Sequence, residues 1–415
     1  MNYRIVEKWK EIDPNQWNDW RWQLQNAIRS IDQLIDIVDD FSIEKPTWKQ
    51  RLVLERINDS FEMKITPHTV LNIKNTLLNR DQIGFDALMN SFLPNVMEAS
   101  RFHDDTDGIG EETFDSKPTS LVTNFYRNRV LFFVSNICAS YCRFCFRRRK
   151  VGDRVDQSIE RGTDNLFMEK ALEYIRDNSE IREVIISGGD PLILSDSRIF
   201  DLLKKLRSIN HIKTLRIDTK VPSSLPQRIT KELIEILRQF QPIYIVGHFL
   251  HPVELTEEVI DACKRLVEAG IIVSAHTPLL RKINDNEKIL EELMWKLFEN
   301  RILPYYLIQF IPTKWTEHFR VPIARALEIM KWLHEHLPGL AIPTYIVYLP
   351  GGAGKVPVTP NYLVTQTDDG CFFQNLEGKL SFYREHEIKQ FKDDASIPDD
   401  TKRNQSTNNV LHSIF

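Results

Sequence analysis

The sequence predicts an α/β protein built as a partial, open TIM-like barrel of about six βα units, with a helical N-terminal segment and a C-terminal extension. Two observations carry this reading. From about residue 130 onward, short β-branched or aromatic runs alternate with longer stretches of helical period, as in a parallel sheet with crossover helices. Upstream, stretches such as NQWNDWRWQLQNAIRSIDQLIDIVDDF and TWKQRLVLERI have helical period without strand-like runs.

The elements follow in order. VLFFVSNI (130–137) reads as the first strand, a cysteine-bearing loop follows, and FMEKALEYIRDN (167–178) is the first crossover helix. REVIIS pairs with RIFDLLKKLRSI, TLRIDT with RITKELIEILRQF, and PIYIVGHF with TEEVIDACKRLVEAG. IIVSAHT then pairs with NEKILEELMWKLFENR and YYLIQFI with PIARALEIMKWLHEHL, before a closing strand TYIVYL runs into PGGAGK. The expected organisation is a helical segment at 1–115, the barrel core at 116–349, a glycine loop and extension at 350–390, and a polar tail at 391–415 that reads as mobile. In such folds the chemistry lies on the loops that follow the strands.

Composition narrows the function. At 415 residues with 42% hydrophobic and 27% charged residues, a large core is available, and a formal net charge of −4 gives no general attraction to nucleic acid or anionic lipid. The opening MNYRIVEKWKEIDPNQW carries charges where a signal peptide needs an apolar stretch, and no uninterrupted apolar run has membrane-spanning length, so the expectation is a soluble, cytoplasmic protein. Five cysteines, an odd number with three clustered, do not form a secreted disulfide framework.

Those three lie in NICASYCRFCFRRRK (136–150), with Cys138, Cys142 and Cys145 spaced C-x3-C-x2-C. Three thiolates on a loop fall one ligand short of a closed site and leave a metal position open to another ligand. A zinc knuckle completed from elsewhere, or three unrelated thiols, fits the spacing too. The run Arg147, Arg148, Arg149 and Lys150 reads as a solvated face, a nucleic-acid patch, or an anion site beside the cysteines. SGGDPL (187–192) ends the second strand, where Gly188 and Gly189 permit close backbone approach and Asp190 offers an acceptor for an ammonium group; a tight turn alone also explains the glycines. PGGAGKVP (350–357) is not a nucleotide-binding loop, because Leu349 stands where that motif needs its first Gly and Val356 where it needs Ser or Thr. Lys355 is a surface lysine in a turn or an amine that forms a Schiff base with an aldehyde cofactor. His248 and His251 in HFLHP read as pocket-lining residues rather than a metal pair.

The cysteine spacing after the first strand resembles the cluster motif of radical S-adenosylmethionine (SAM) enzymes. Together with PGGAGKVPVTPNY it closely resembles the lysine 2,3-aminomutase family, and the similarity runs through NQWNDWRWQ, SGGDPLILS, LPQRIT, HFLHP, EHFR, PNYLVTQ and NLEGKLSFY, most of residues 5–385. The resemblance implies a [4Fe–4S] cluster on Cys138, Cys142 and Cys145, SAM beside it against Gly188, Gly189 and Asp190, and pyridoxal 5′-phosphate (PLP) on Lys355 with Tyr126 and Arg129 against its ring and phosphate. Arg147 would hold the substrate carboxylate. The implied reaction is an isomerisation in which a radical formed from SAM takes hydrogen from the β-carbon of an amino acid and the α-amino group shifts to that carbon. Implied partners are the amino acid and a reductant such as flavodoxin or ferredoxin, with a homodimer or higher homo-oligomer plausible by resemblance and no nucleic acid or membrane.

The pattern departs from the family at informative points. Lysine-acting members hold the distal ammonium with two aspartates, and Ile311 and Tyr348 occupy the matching positions, which implies a substrate other than lysine with an apolar, aromatic or hydroxyl-bearing side chain. Phe125 stands where members often have Arg, His276 where Gln is usual, and the cysteines of an intersubunit zinc site have no counterparts, so no zinc is expected. Competing readings are a radical SAM and PLP enzyme with another outcome, elimination or epimerisation, and an iron–sulfur or zinc module that binds nucleic acid through the basic run.

Overall fold

The computed structural model describes residues 1–38, 47–99, 105–152, 161 and 164–385; the tail expected at 391–415 lies outside the described residues. The chain divides into one unit at Met1–Pro360 and a second from Asn361 onward.

The first unit is organised by a ten-stranded sheet whose strands are ordered as in the chain. They are β1 (Asp115–Ser116), β2 (Thr119–Tyr126), β3 (Arg129–Ser135), β4 (Glu183–Gly188), β5 (Thr214–Thr219), β6 (Ile243–His248), β7 (Ile272–Leu279), β8 (Leu303–Gln309), β9 (Thr344–Tyr348) and β10 (Lys355–Pro357). From β3 to β9 every neighbouring pair is parallel, joined by crossover helices such as Asn165–Asp177, Lys231–Gln239 and Glu287–Glu299. The sheet is open: β1 and β10 are its two ends. The open α/β barrel expected from the sequence is therefore present.

Strand chemistry explains which face looks where. In β5, Leu215, Ile217 and Thr219 are buried, while the alternate residues Arg216 and Asp218 line an internal cavity. Each crossover helix contributes an apolar stripe, as in Lys231–Gln239, where Leu233, Ile234 and Leu237 are buried and Thr230 caps the start by accepting from the Leu233 amide. Burying such a side chain contributes about 1.5–3 kcal/mol.

Two edge additions were not legible in the sequence. β2 pairs antiparallel with β3 across a two-residue connection, Tyr126 standing opposite Arg129, and β10 pairs antiparallel with β9, Lys355 opposite Tyr348. The glycine-rich approach to Lys355 lacks strand character on its own.

The N-terminal segment is helical, with a core of its own in which Trp17 lies between Trp9 and Trp22 at ring centroid distances of 5.1 and 5.6 Å. The second unit contains a three-stranded antiparallel sheet, β11 (Leu363–Thr367), β12 (Gly370–Gln374) and β13 (Leu380–Arg384), with Phe372 against Phe382. No described helix is long and apolar enough to cross a membrane.

Candidate active site

A cavity of about 340 Å³ opens at the C-terminal ends of the parallel strands, and every residue assigned from the sequence lines it: the three cysteines, Gly188 to Asp190, Tyr126 and Arg129, Arg147, Ile311, Tyr348 and Lys355. Residues separated by more than two hundred positions, such as Tyr126 and Lys355, meet here because the sheet brings their strands round one cavity.

The cysteine loop leaves β3 and is fastened to the helical segment. The Tyr141 amide donates to the Lys64 carbonyl at 2.9 Å and the Arg143 amide to the Ser91 carbonyl at 2.8 Å. Arg143, between two of the cysteines, is fully buried and donates from Nε and Nη2 to the two oxygens of the buried Glu98 at 2.9 and 2.7 Å. All three thiols are free. No group of His, Cys, Asp or Glu among the described residues is gathered tightly enough to hold a single metal ion. All three thiols line one cavity, and three thiolates on one loop are the donor set that an iron–sulfur cluster takes from a protein. Without a metal, burial raises all three thiols, Cys142 to about 12.

The basic run faces inward. Arg148 donates to Glu98 at 3.2 Å, Arg149 pairs with Asp107, Glu111 and Glu112, and Lys150 lies 3.0 Å from Asp115. These cations, unassigned from sequence, hold the cysteine loop against residues 98–115 and are not presented as a nucleic-acid patch. Arg147 donates from Nε to Glu111 at 3.0 and 3.1 Å, and its Nη groups have no partner among the described residues. Burial pushes the Glu111 carboxyl up, but Arg147, Arg149 and Lys150 outweigh it and hold it below the usual range.

The Gly188–Asp190 loop packs directly on the cysteine loop. A Cβ on Gly188 would stand 2.4 Å from the Ser135 carbonyl oxygen, and one on Gly189 2.5 Å from that of Ile137. The close approach that requires glycine is therefore between two stretches of backbone. The Asp190 carboxylate, expected to face an ammonium group, accepts from Thr219 Oγ1 at 2.7 Å and from the Lys220 and Leu192 amides at 2.8 and 3.1 Å. It ties the loop after β4 to the loop after β5; burial raises it to about 6.

Lys355 begins β10 after Gly354, whose φ of +88° suits glycine. Its amide donates to the Tyr126 hydroxyl at 3.2 Å, and its Nζ stands 4.3 Å from the centre of the Tyr306 ring. Burial lowers the Lys355 amine, helped by the charges of Arg216 and Arg129, while Tyr306 opposes the shift. Arg129 stacks on Tyr126 at 3.9 Å and is in no ion pair among the described residues. His276 lies against Tyr305 and Tyr306 with its Nε2 buried and unpartnered, a polar atom awaiting a ligand. Burial keeps His276 well below the usual histidine range and His248 at about 4, so both are neutral near pH 7. A lowered amine, an unpaired guanidinium and an orphaned imidazole nitrogen fit an anionic aldehyde cofactor.

The sequence reading missed Glu98, Arg143, Glu111, Tyr306 and the pair Arg216 and Asp218. Only Asp218 carried a signal, as a polar residue at the C-terminal end of a barrel strand. Arg216 Nε lies 3.0 Å from Asp218 Oδ1 off the hydrogen-bonding axis, and its Nη1 lies 3.8 Å from Glu183.

Residues 132–293 match the radical SAM superfamily and residues 330–412 the family described as lysine-2,3-aminomutase. The sequence is 36% identical over 386 residues to the L-lysine 2,3-aminomutase of Clostridium subterminale, covering 93% of this chain and 88% of that protein. Against the L-lysine 2,3-aminomutase of Bacillus subtilis it is 35% identical over 387 residues, 93% and 78% of the two chains. Against the glutamate 2,3-aminomutase of Clostridioides difficile it is 34% identical over 364 residues, 88% and 82%. Identity of this order does not distinguish between the two substrates.

Proposed function

The chain belongs to the lysine 2,3-aminomutase family of the radical SAM superfamily and is an amino acid 2,3-aminomutase, an isomerase; we propose that its substrate is an α-amino acid with a neutral side chain and that PLP on Lys355 takes part. Family membership implies the [4Fe–4S] cluster and SAM.

The observation that carries the substrate reading is the pairing of charges in the cavity wall. Four carboxylates line it, and each is engaged: Glu111 by Arg147 and Arg149, Glu183 and Asp218 by Arg216, and Asp190 by Thr219 and two amides. A lysine ammonium would have to share a carboxylate that another group already engages, against a desolvation cost of several kcal/mol. A distal carboxylate fares no better, since Arg216 already faces two carboxylates and Lys220 is held by Glu254 at 2.6 Å. The groups left over are Arg129, the Nη groups of Arg147 and the Lys355 amine, those needed for a phosphate, an α-carboxylate and an aldehyde.

When bound, the cluster with SAM supplies a radical that takes hydrogen, and PLP supplies a conjugated ring for the migrating nitrogen. The chain's own residues do the positioning. Cys138, Cys142 and Cys145 would hold the cluster, and the Gly188–Asp190 loop packs against the loop that carries them. Arg147, oriented by Glu111, fixes the substrate carboxylate in a two-point contact. Lys355 provides an amine that releases its proton more readily than free lysine, and Arg129 would receive the phosphate. Tyr126, Tyr305 and Tyr306 wall the reacting carbon from water.

The test is anaerobic reconstitution with iron, sulfide, SAM, PLP and dithionite, followed by mass spectrometry of β-amino products from leucine, tyrosine, glutamine, lysine, glutamate and arginine. A β-amino product from a neutral amino acid is expected. Turnover of lysine or glutamate alone would overturn the substrate reading, and SAM cleavage with no amino shift would overturn the aminomutase chemistry.

A further inference from the structure

Asp218 is the carboxylate of the cavity wall that its neighbours serve least well. It is the penultimate residue of β5, on the same face as Arg216, in register with Val246 of β6, two residues before His248. Its Oδ2 receives one long hydrogen bond, from Arg216 Nη2 at 3.4 Å. Its Oδ1 is buried and accepts no hydrogen bond, although the Arg216 Nε lies 3.0 Å away off axis. A buried carboxylate oxygen without a donor is costly, so the site is completed when something entering the cavity supplies one.

Two further observations say what enters. Asp218, Arg147 and Tyr348 line the same cavity, and Tyr348 stands opposite Lys355 across the β9–β10 pair. A side chain extending from a substrate held by Arg147 and Lys355 shares that cavity with Tyr348 and Asp218. The Arg216 Nε already lies 3.0 Å from Oδ1, so a second cation on Oδ1 would sit against that guanidinium, whereas a neutral O–H or N–H would not. We propose that Asp218 is a specificity-determining residue that accepts a hydrogen bond from a neutral donor, a hydroxyl, phenol or carboxamide, on the substrate side chain. This rests on the aminomutase reading above and narrows it.

The test uses the reconstituted holoenzyme and matched substrate pairs, tyrosine with phenylalanine and glutamine with methionine. Wild type is compared with Asp218→Asn and Asp218→Leu, each checked for wild-type iron and PLP content. The readouts are kcat/KM for the β-amino product and the dissociation constant from the change in PLP absorbance on adding the amino acid. Wild type is expected to favour the donor-bearing member of at least one pair by about tenfold or more, with the preference reduced in Asp218→Asn and lost in Asp218→Leu. No preference in wild type, a preference kept by Asp218→Leu, or a best substrate that is cationic would each overturn the proposal. Absence of β-amino product from every substrate would overturn the parent reading, and the binding preference would then still decide the role of Asp218.

Discussion

Replacing Glu98 with Gln removes the charge that two buried arginines share while keeping the side-chain shape. Glu98 and Arg143 are 0% exposed, and Arg148 is 8% exposed. Glu98 accepts from Arg143 at 2.9 and 2.7 Å and from Arg148 at 3.2 Å. At an effective dielectric near 20 each unit-charge pair at about 4 Å contributes about 4 kcal/mol. Relief from burying the carboxylate offsets part of this, and Arg143 keeps the carbonyls of Phe61 and Glu62 through Nη1. Breaking a buried pair of this kind costs about 3–5 kcal/mol, a large fraction of an ordinary folding stability of 5–15 kcal/mol. Because Arg143 lies between Cys142 and Cys145, the loss falls on the cysteine loop. The expected result is a fall of about 1 M in the urea midpoint, followed by tryptophan fluorescence, together with reduced iron content after reconstitution. A variant with an unchanged midpoint and full iron content would refute the argument that this network holds the cluster loop in place.

Glu111→Gln loosens Arg147 without touching the substrate, so KM for the amino acid should rise about tenfold or more with a smaller change in kcat, and an unchanged KM would exclude the orienting role. Replacing both Ile311 and Tyr348 with Asp should raise lysine turnover relative to the wild-type substrate; a product panel like that of wild type would show that neither residue faces the side chain. For Lys355 the sign is set by its lowered amine: the unfolded chain binds the proton more tightly, so its contribution to stability rises as pH climbs from the folded pKa toward about 10.4. PLP capture, followed by absorbance and borohydride trapping, should accordingly have a pH midpoint below that of free lysine, and Lys355→Ala should abolish trapping.

How much could be read in advance differs by element. TLRIDT was assigned as Thr214–Thr219 because alternation and β-branched residues agree over its length. REVIIS and TYIVYL came within a residue of β4 and β9 for the same reason. β10 escaped because a three-residue strand at the end of the sheet takes its identity from the neighbour it pairs with, and that neighbour is fixed only in three dimensions. The basic run shows the limit most clearly. Its carboxylate partners, Glu98, Asp107, Glu111, Glu112 and Asp115, lie 35 to 50 positions upstream at no regular spacing, so RRRK alone looked as open to phosphate as to protein.

By itself the sequence determined the open α/β barrel and the family, and it singled out residues that prove to line one cavity, because hydrophobic period, cysteine spacing and a lysine after glycines are local properties of the chain. Only the tertiary structure decided which charges are free to meet a ligand. Asp190 became a brace between two loops and Asp218 a wall residue of the cavity because Coulomb attraction and hydrogen bonding act through space, between groups whose separation along the chain says nothing of the distance across the fold.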